Sequence, residues 1–368
     1  MDTLALPLTP GPMSGTRNLT AWRFGREGAC PLVYIQGGLH ADEAPGMLVG
    51  FALRDRLAEL DAAGAILGEI VVVPVANPIG LDQGVIGGSF GRFEATTGQN
   101  FNRHFPDAAA LALAADDSFP EDDPVAALRA RMAAALDGLC PVSPLAALQR
   151  ALLRLAIEAD IVIDMHCDAE AVTHLYCHSE QITKAEQLGA CVGAGAVLHA
   201  PVQGGTSFDE ACTLPWIALR AHWPDRDLPI PCFAVTLEWR GMLDTDPVLA
   251  AKDAEAVIGW LAAQGAVEAP IPTLCTPAVA ATPLSAVEVV MAPSAGLFLA
   301  AVPPGSDVRA GSVLGTLRRL PDGTEITLRA TIDGVLYARE QVRIVREGAE
   351  LFFVAGLTPI RTGVLLSA

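Results

Sequence analysis

A histidine and a glutamate three residues apart, His40 and Glu43, are the first side chains along the chain whose types and spacing suggest chemistry. A neutral imidazole and a carboxylate are good ligands for zinc. They lie in residues 37–46, which begin with two glycines that let the backbone turn sharply and bring both side chains to one side. The same pair occurs by chance on surface turns, so this segment alone is a weak indication of a metal site.

A second candidate group ends the apolar run at residues 160–168, which reads Asp-Ile-Val-Ile-Asp-Met-His-Cys-Asp. Alternate strand residues point to one face, so Asp164 and His166 share a face. A lone histidine at a strand end is often structural, but His166 would complete a His₂Glu ligand set with His40 and Glu43. We expect Asp164 either to orient a ligand histidine or to be an ordinary strand-end carboxylate.

A further carboxylate, Glu238, lies near the end of another apolar run at residues 231–241. Open α/β sheets bind ligands at the carboxyl ends of their strands, so this position faces the expected cleft. A general base for a metal-activated water needs that location. The structural alternative is an ion pair between Glu238 and Arg240 or another arginine.

A glycine-rich segment at residues 80–106 has no periodic pattern and is predicted to be a loop. Loops of this length are uncommon in compact domains unless they are functional. It carries Arg92, Asn102 and Arg103. A guanidinium with a neighbouring amide can bind a carboxylate through several hydrogen bonds, although for an Asn-Arg pair alone a capped helix start or a solvated loop is the more common explanation.

The pattern of apolar runs predicts the elements that must position these side chains. One or two edge strands are expected within residues 1–30, and residues 107–124 are expected to be exposed. Strands are predicted at residues 32–35, 69–76, 160–168 and 231–241, and helices at residues 45–60, 124–136, 144–159 and 247–263. Residues 184–199 are predicted to be a helix followed by a short strand around residues 197–198. The first strand, helix and strand form a βαβ unit, which indicates an α/β fold with a mixed, mostly parallel sheet flanked by helices.

The pattern changes after a linker rich in Ala, Pro and Thr at residues 264–285. Short alternating strands broken by glycines predict a small all-β module, so we divide the chain into a catalytic domain (1–270) and a β module (271–368). The module resembles the barrel-sandwich of lipoyl- and biotinyl-type carriers, which attach their cofactor to a lysine. No lysine follows Lys252, so a structural or oligomerisation role is expected instead.

Composition excludes several classes of partner. The chain has 368 residues, 51% of them hydrophobic, and a formal net charge of −18. Such an acidic protein is not expected to bind nucleic acid or an anionic membrane through general electrostatics. We see no signal peptide and no membrane span. None of the eight cysteines forms C-x-x-C, which favours reduced, buried thiols in a cytoplasmic protein over a disulfide framework.

Taken in order, these motifs resemble the succinylglutamate desuccinylase/aspartoacylase family of the zinc carboxypeptidase clan. The resemblance depends on Gly38-Leu39-His40-Ala41-Asp42-Glu43, Arg92 with residues 98–106, Asp164-Met165-His166 and Leu237-Glu238. Where many members have glycine this chain has Ala41, which is still small. The resemblance implies one Zn²⁺ per chain, held by His40, Glu43 and His166 with water in the fourth position.

The resemblance also implies roles for the remaining candidates. Glu238 would take a proton from the zinc-bound water and later pass it to the leaving amine. Arg92 would help the zinc to stabilise the oxyanion of the tetrahedral intermediate. Asn102 and Arg103 would bind a carboxylate of the substrate.

Three functions are therefore expected to compete. The first is a zinc-dependent amidohydrolase that releases an acyl group from an N-acyl amino acid or a similar small amide with a carboxylate. The second is a metallocarboxypeptidase or another peptide amidase. The third is a metal-binding or scaffolding protein without turnover. The fold alone does not decide between these functions, because one fold can support many of them. Each alternative is compatible with a homo-oligomer.

Overall fold

A computed structural model of the chain describes residues 1–8, 17–85, 88–271, 280–320, 322–363 and 365–366. The strands are β1 (Asp2–Pro7), β2 (Asn18–Gly25), β3 (Leu32–Gly37), β4 (Glu69–Val73), β5 (Gly84–Val85), β6 (Gly88–Ser89), β7 (Ile161–Asp168), β8 (Glu170–Ala171), β9 (His174–His178), β10 (Ala196–Ala200), β11 (Phe233–Gly241), β12 (Thr282–Pro283), β13 (Val287–Met291), β14 (Gly296–Ala300), β15 (Ser306–Val308), β16 (Val313–Arg319), β17 (Glu325–Arg329), β18 (Gly334–Arg339), β19 (Ile344–Val345) and β20 (Glu350–Ala355). The helices are α1 (Ala44–Ala62), α2 (Pro78–Leu81), α3 (Ala108–Ala115), α4 (Pro124–Asp137), α5 (Pro144–Ala156), α6 (Ile182–Val192), α7 (Phe208–His222) and α8 (Pro247–Ala263). Within these ranges, no helix is both long and apolar enough to cross a membrane.

A nine-stranded sheet forms the centre of the fold, in the order β1-β2-β4-β3-β7-β11-β9-β10-β12. The pairs from β4 through β3 and β7 to β11 are parallel, as are β9 with β10 and β10 with β12. Strands β1 and β2 and the β11–β9 pair add antiparallel neighbours. The mixed, mostly parallel sheet flanked by helices is therefore confirmed.

Two apolar cores cover the faces of this sheet. Helices α1, α6 and α8 contribute to one core, and α3, α4, α5 and α7 contribute to the other. Strand β4 is buried at every position, as its continuous apolar sequence predicts for a strand covered on both faces. The helices thus hold the central strands rigidly and fix where their carboxyl ends meet.

Several elements of the large domain were not predicted; the longest of them are β9, α3 and α7. Helix α3 forms where residues 107–124 were expected to be exposed. It is capped by Asp107, whose carboxylate accepts a hydrogen bond from Ala110 N at 3.0 Å. Helix α7 contains Pro215, which argues against a helix in a sequence. Tertiary packing against the sheet overrides that local preference, because Trp216 and Leu219 are completely buried.

The cysteines only partly follow the prediction. Free thiols are buried at Cys167, Cys177, Cys212 and Cys232. Cys30 and Cys140 are exposed, so the expectation of burial was wrong for these two. Both lie between regular elements, Cys30 just before β3 and Cys140 between α4 and α5. Cys275 lies outside the described residues, and the cytoplasmic location inferred from the cysteines stays a prediction.

The C-terminal part is all-β, as predicted. Its strands form two antiparallel sheets, β13-β20-β18-β15 and β17-β16-β14-β19, packed around Phe298, Leu317 and Phe352. Two further pairings tie it to the large domain: β8 joins β18, and β12 extends the central sheet beside β10. The boundary at 270/271 stays a prediction, because residues 272–279 are not among those described.

Candidate metal centre

The candidate ligands lie where parallel strands end. His40 and Glu43 follow β3 after a turn at Gly38, whose φ of 68° favours glycine. Glu43 immediately precedes α1, and His166 lies in β7, the strand next to β3. Glu238 of β11 is paired in register with His166. The sheet therefore brings together residues from three distant parts of the sequence.

The three predicted ligands form one buried cluster. The Nδ1 atom of His40 lies 2.8 Å from Oε1 of Glu43, and Nδ1 of His166 lies 2.8 Å from Oε2 of the same carboxylate. One ligand atom from each residue lies within 4.8 Å of the others. Their exposures are 3%, 4% and 2%, so this is an interior site rather than a chance cluster on the surface.

The outer nitrogen of each histidine faces a hydrogen-bond acceptor. His40 Nε2 lies 2.9 Å from Oδ1 of Asn100, and His166 Nε2 lies 2.9 Å from Oδ2 of Asp164. An acceptor at Nε2 favours the tautomer that carries its proton there, which leaves the Nδ1 lone pair directed at Glu43. Metal-binding histidines are held in this way, so the donor set fits a divalent cation such as Zn²⁺.

A chain of buried side chains supports Asp164 from behind. Tyr34 Oη donates to Oε1 of Gln36 at 2.8 Å, and Gln36 Nε2 donates to Oδ1 of Asp164 at 2.8 Å. Asp164 is completely buried, and each of its oxygens has one of these partners. Gln36 was not predicted; its signal was a polar residue inside the apolar strand β3, two positions from Tyr34 and on the same face.

Replacing Asp164 with asparagine should weaken metal binding. The amide has one acceptor and one donor group, so it cannot accept from both Gln36 and His166. We expect Asp164→Asn to lower zinc affinity about 10- to 100-fold, measured by competition with a chromophoric chelator. Asp160→Asn, which likewise cannot keep the contacts of both carboxylate oxygens, here with Leu32 N and Arg129, is a matched control next to the start of the strand. Unchanged affinity in Asp164→Asn would contradict the role.

The charges in the cluster are strongly coupled. Burial lowers the pKa of His40, which keeps its ring neutral. Burial alone would raise the pKa of Glu43, but His40 and His166 outweigh it and hold that pKa well below its usual range. Burial would lower the pKa of His166, but Asp164 and Glu43 outweigh it and raise that pKa well above its usual range. A proton on His166 must leave before its Nδ1 can bind a cation, so metal binding releases a proton.

Glu238 has the environment of a proton carrier. Burial raises its pKa well above the usual range for a carboxyl group, and neighbouring carboxylates add to the rise. Its Oε2 atom has no hydrogen-bond partner among the described residues. Arg240, the partner expected for a purely structural ion pair, instead donates to Asp253 Oδ1 at 3.2 Å. Glu238 therefore lines the cavity without an ion pair to Arg240.

Arg92 reaches the cluster from the long loop. Its NH1 group lies 3.0 Å from Glu43 Oε1 and 3.2 Å from His40 Nδ1. The side chain is 43% exposed, so its guanidinium retains access to the cavity. A cation in this position can offer hydrogen bonds to an oxygen that develops negative charge beside the cluster.

Asn102 and Arg103 are held by the loop before α7. Asn102 Oδ1 accepts from Phe208 N at 2.8 Å, which leaves its amide NH₂ group facing the cavity, 3.4 Å from His166 Nε2. Arg103 is buried, and its NH1 donates to Asn102 O at 2.7 Å. Its stem crosses Gly205 so closely that a Cβ there would lie 2.5 Å from Arg103 Cδ. Both side chains present donors only, as binding of an anion requires.

A buried acid, Asp209, lies in the first turn of α7 behind this loop. Its Oδ2 accepts from Gln203 Nε2 at 2.8 Å. Burial raises its pKa from 3.8 to about 6, and the neighbouring Glu210 adds to the rise. The folded protein therefore holds a proton on Asp209 at pH values where the unfolded chain has lost it.

This raised pKa predicts a pH-dependent stability. Because the folded state binds the proton more tightly, its stability falls as pH rises from about 4 to 6, by up to about 3 kcal/mol. Asp209→Asn should be more stable than wild type at pH 7 and lose that advantage at pH 4, measured by urea unfolding at both pH values. The exposed Asp225→Asn should show no such difference. An Asp209→Asn advantage independent of pH would contradict the assignment.

All seven predicted site residues line one cavity of about 170 Å³. They are His40, Glu43, Arg92, Asn102, Arg103, His166 and Glu238. The opposite wall comes from the C-terminal module, which the sequence did not predict to reach the site. The cavity thus combines a metal-ligand set, a carboxyl group with a raised pKa and three donors for anions or developing negative charge.

Known proteins share this architecture. Residues 29–211 match the family model of the succinylglutamate desuccinylase/aspartoacylase catalytic domain. A structure of a succinylglutamate desuccinylase/aspartoacylase family protein from Shewanella amazonensis SB2B superposes with a TM-score of 0.82 at 26% identity, covering 96% of this chain and 98% of that one. A related structure from Shewanella frigidimarina NCIMB 400 gives 0.83 at 24%, covering 96% and 97%.

A more distant structure extends the fold comparison. The product-bound ectoine utilization protein EutE (DoeB) from Ruegeria pomeroyi superposes with a TM-score of 0.65 at 17% identity, covering 97% of this chain and 95% of that one. A search of curated proteins finds no match. The similarity to these structures extends over the C-terminal module as well as the large domain.

Proposed function

Because the chain belongs to the succinylglutamate desuccinylase/aspartoacylase family, whose members are hydrolases, we propose that it is a zinc-dependent amidohydrolase. In this proposal it releases an acyl group from an N-acyl amino acid or a similar small amide. The observation that supports it most is the buried cluster of His40, Glu43 and His166, with both Nδ1 atoms facing one carboxylate and Glu238 beside it.

The protein residues then divide the chemistry. A bound Zn²⁺ would supply a Lewis acid that polarises the amide carbonyl and acidifies water. Glu238 accepts the proton of the water that adds to the carbonyl carbon, and returns it to the nitrogen as the C–N bond breaks. Arg92 donates hydrogen bonds where the carbonyl oxygen becomes negative. The products are a free carboxylate and an amine.

The loop residues give the proposed preference for an amino acid. The oxygen of the Asn102 amide is occupied by Phe208 N, so its NH₂ group and the buried guanidinium of Arg103 offer donors to the same cavity. A substrate carboxylate bound there would place the neighbouring amide next to Glu238. An Arg–carboxylate contact is charge-assisted and geometrically specific, so it can fix the register of a small molecule.

The size of the cavity favours this function over peptide hydrolysis. The cavity has a volume of about 170 Å³, and residues of the C-terminal module line one side of it, which leaves little room for a polypeptide. The raised pKa of Glu238 favours turnover over a purely scaffolding role, because such groups concentrate at catalytic sites.

A screen of zinc-loaded protein tests the proposal. Candidate substrates are N-acetyl and N-succinyl amino acids, with the corresponding N-acyl amines that lack the carboxylate and a set of dipeptides as comparisons. We expect hydrolysis of at least one N-acyl amino acid and little of its decarboxylated analogue. Preferential cleavage of dipeptides would support the peptidase alternative, and binding of zinc without any hydrolysis would support the non-catalytic one.

A further inference from the structure

Strand β20 has two apolar faces. Phe352 and Val354 belong to the core of the C-terminal module, whereas Phe353 and Ala355 join a second apolar cluster on the opposite face. A strand that is apolar without alternation is typically buried on both sides. The module is therefore built to cover another surface with its β13–β20–β18 sheet.

The neighbouring strands extend this second face. Val289 of β13 is paired in register with Phe353, and Val287 lies two residues away on the same face. In β18 the pairing with β20 shifts between Leu336 and Ala338, so Tyr337 occupies a β-bulge. A bulge re-aims the side chain it carries. The ring of Tyr337 lies 6.0 Å from that of Phe353, which continues the apolar surface.

Several contacts fix this face against the catalytic domain. Val172 N donates to Tyr337 O at 2.9 Å, and Arg339 Nε donates to Glu170 Oε2 at 2.6 Å. Strand β8 of the catalytic domain also pairs with β18 of the module, with Ala171 opposite Ala338. These contacts fix the position of the face relative to the catalytic domain.

This face forms a wall of the active-site cavity. Val287, Val289, Phe353 and Tyr337 all line it. The module also contributes charged groups to the lining, Glu350 and Arg361, which have opposite signs and add no net charge. The module therefore presents mainly apolar surface to whatever occupies the cavity.

The order of strands places this wall on one side of the reacting groups. Along the sheet, His40 and Glu43 follow β3, His166 is in β7 and Glu238 is in β11, while β9 and β10 lie beyond them. The apolar cluster of the wall includes residues of β9 and β10. The proposed carboxylate site at Asn102 lies on the β7 side, next to His166. Along the strand order, the cluster of the wall therefore lies on the β9 side of Glu238, whereas Asn102 approaches the β7 side.

We infer that the wall formed by Val287, Val289, Phe353 and Tyr337 is the acyl subsite, and that it selects an uncharged, apolar acyl chain of several carbons. This inference rests on the proposed function, in which the carboxylate belongs to the amino acid. The scissile amide lies at Glu238 between the two sites, so the group that reaches the wall is the acyl group. A carboxylate at the end of that chain would lose its water against apolar side chains.

The experiment compares acyl groups on one amino acid, chosen as the best N-acetyl substrate of the screen. The series is acetyl, butanoyl, hexanoyl and succinyl. We expect kcat/KM to rise about tenfold or more from acetyl to hexanoyl, with succinyl well below butanoyl. Val289→Thr, which replaces a methyl with a hydroxyl group, should remove most of that gain with chain length.

Val313→Thr is the matched control, because Val313 lies on the other sheet of the module and is 43% exposed. It should keep the full gain with chain length. Thermal unfolding of both variants checks that each is folded, and Phe353→Leu offers a second change in the wall. A flat series, or a preference for succinyl, overturns the acyl subsite while leaving the proposed function intact. Absence of hydrolysis of every N-acyl amino acid overturns the proposed function itself.

Discussion

Glu238→Gln is expected to lower kcat by about 10²- to 10⁴-fold on the true substrate, because the amide cannot take the proton from water or return it to the leaving amine. Glutamine has nearly the same shape, so substrate binding should change little, and the loss should appear in kcat rather than in KM. Steady-state kinetics with zinc-loaded protein measures both parameters.

Two further measurements separate a catalytic role of Glu238 from a structural one. Zinc content should remain at one ion per chain, since Glu238 is not among the ligands. The unfolding midpoint should stay the same or rise, because Oε2 of the wild-type carboxyl group is buried without a hydrogen-bond partner among the described residues. Glu180→Gln, which alters an exposed ion pair with Arg220, is the matched control and should leave kcat unchanged. Full activity in Glu238→Gln would show that another group carries the proton.

The positions of the reacting groups were largely predictable from local sequence. His166 and Glu238 each lie in an apolar run, and parallel strands of one sheet end at one edge. Adjacency of the two residues therefore follows once both runs are recognised as neighbouring strands. His40 joins these two residues because the turn that carries it follows β3, and the carboxyl end of β3 lies at the same edge of the sheet as those of its parallel neighbours.

The groups that hold the ligands were harder to predict. Which acceptor faces Nε2 of His40 depends on how a 27-residue loop folds over the site, and Asn100 is one of several polar residues there. Asp164 was predictable as a candidate, but its partner Gln36 comes from another strand through a register that local sequence does not encode. Such contacts arise from tertiary packing rather than from periodicity.

The main feature that the sequence did not predict is the wall that the C-terminal module adds to the cavity. The run Leu-Phe-Phe-Val-Ala in β20 lacks alternation, which is a signal that both faces are covered. The sequence cannot say what covers the second face, because that depends on how the module docks through β8 and β12. The structural role expected for the module is compatible with its position, and its contribution to the cavity is additional.

Removal of the metal is expected to abolish activity. The ligand cluster of His40, Glu43 and His166 is buried, and Arg92, the arginine that contacts it, can donate hydrogen bonds but cannot act as the Lewis acid that a metal ion would supply. Dialysis against a strong chelator should reduce hydrolysis to background, and addition of one equivalent of Zn²⁺ should restore it. Metal content by emission spectroscopy and activity are measured on the same samples.

Stability provides an independent readout of the same site. A ligand that binds only the folded state at a concentration 100 times its Kd stabilises it by about 2.7 kcal/mol, so Zn²⁺ should raise the unfolding midpoint of metal-free protein. His166→Ala should lose that rise together with activity, since it removes one of three ligands. His222→Ala removes an exposed histidine paired with Asp117 and should keep both. If chelated, metal-free protein were fully active, the reaction would have to proceed without the metal, and Glu238 and Arg92 alone would have to account for it.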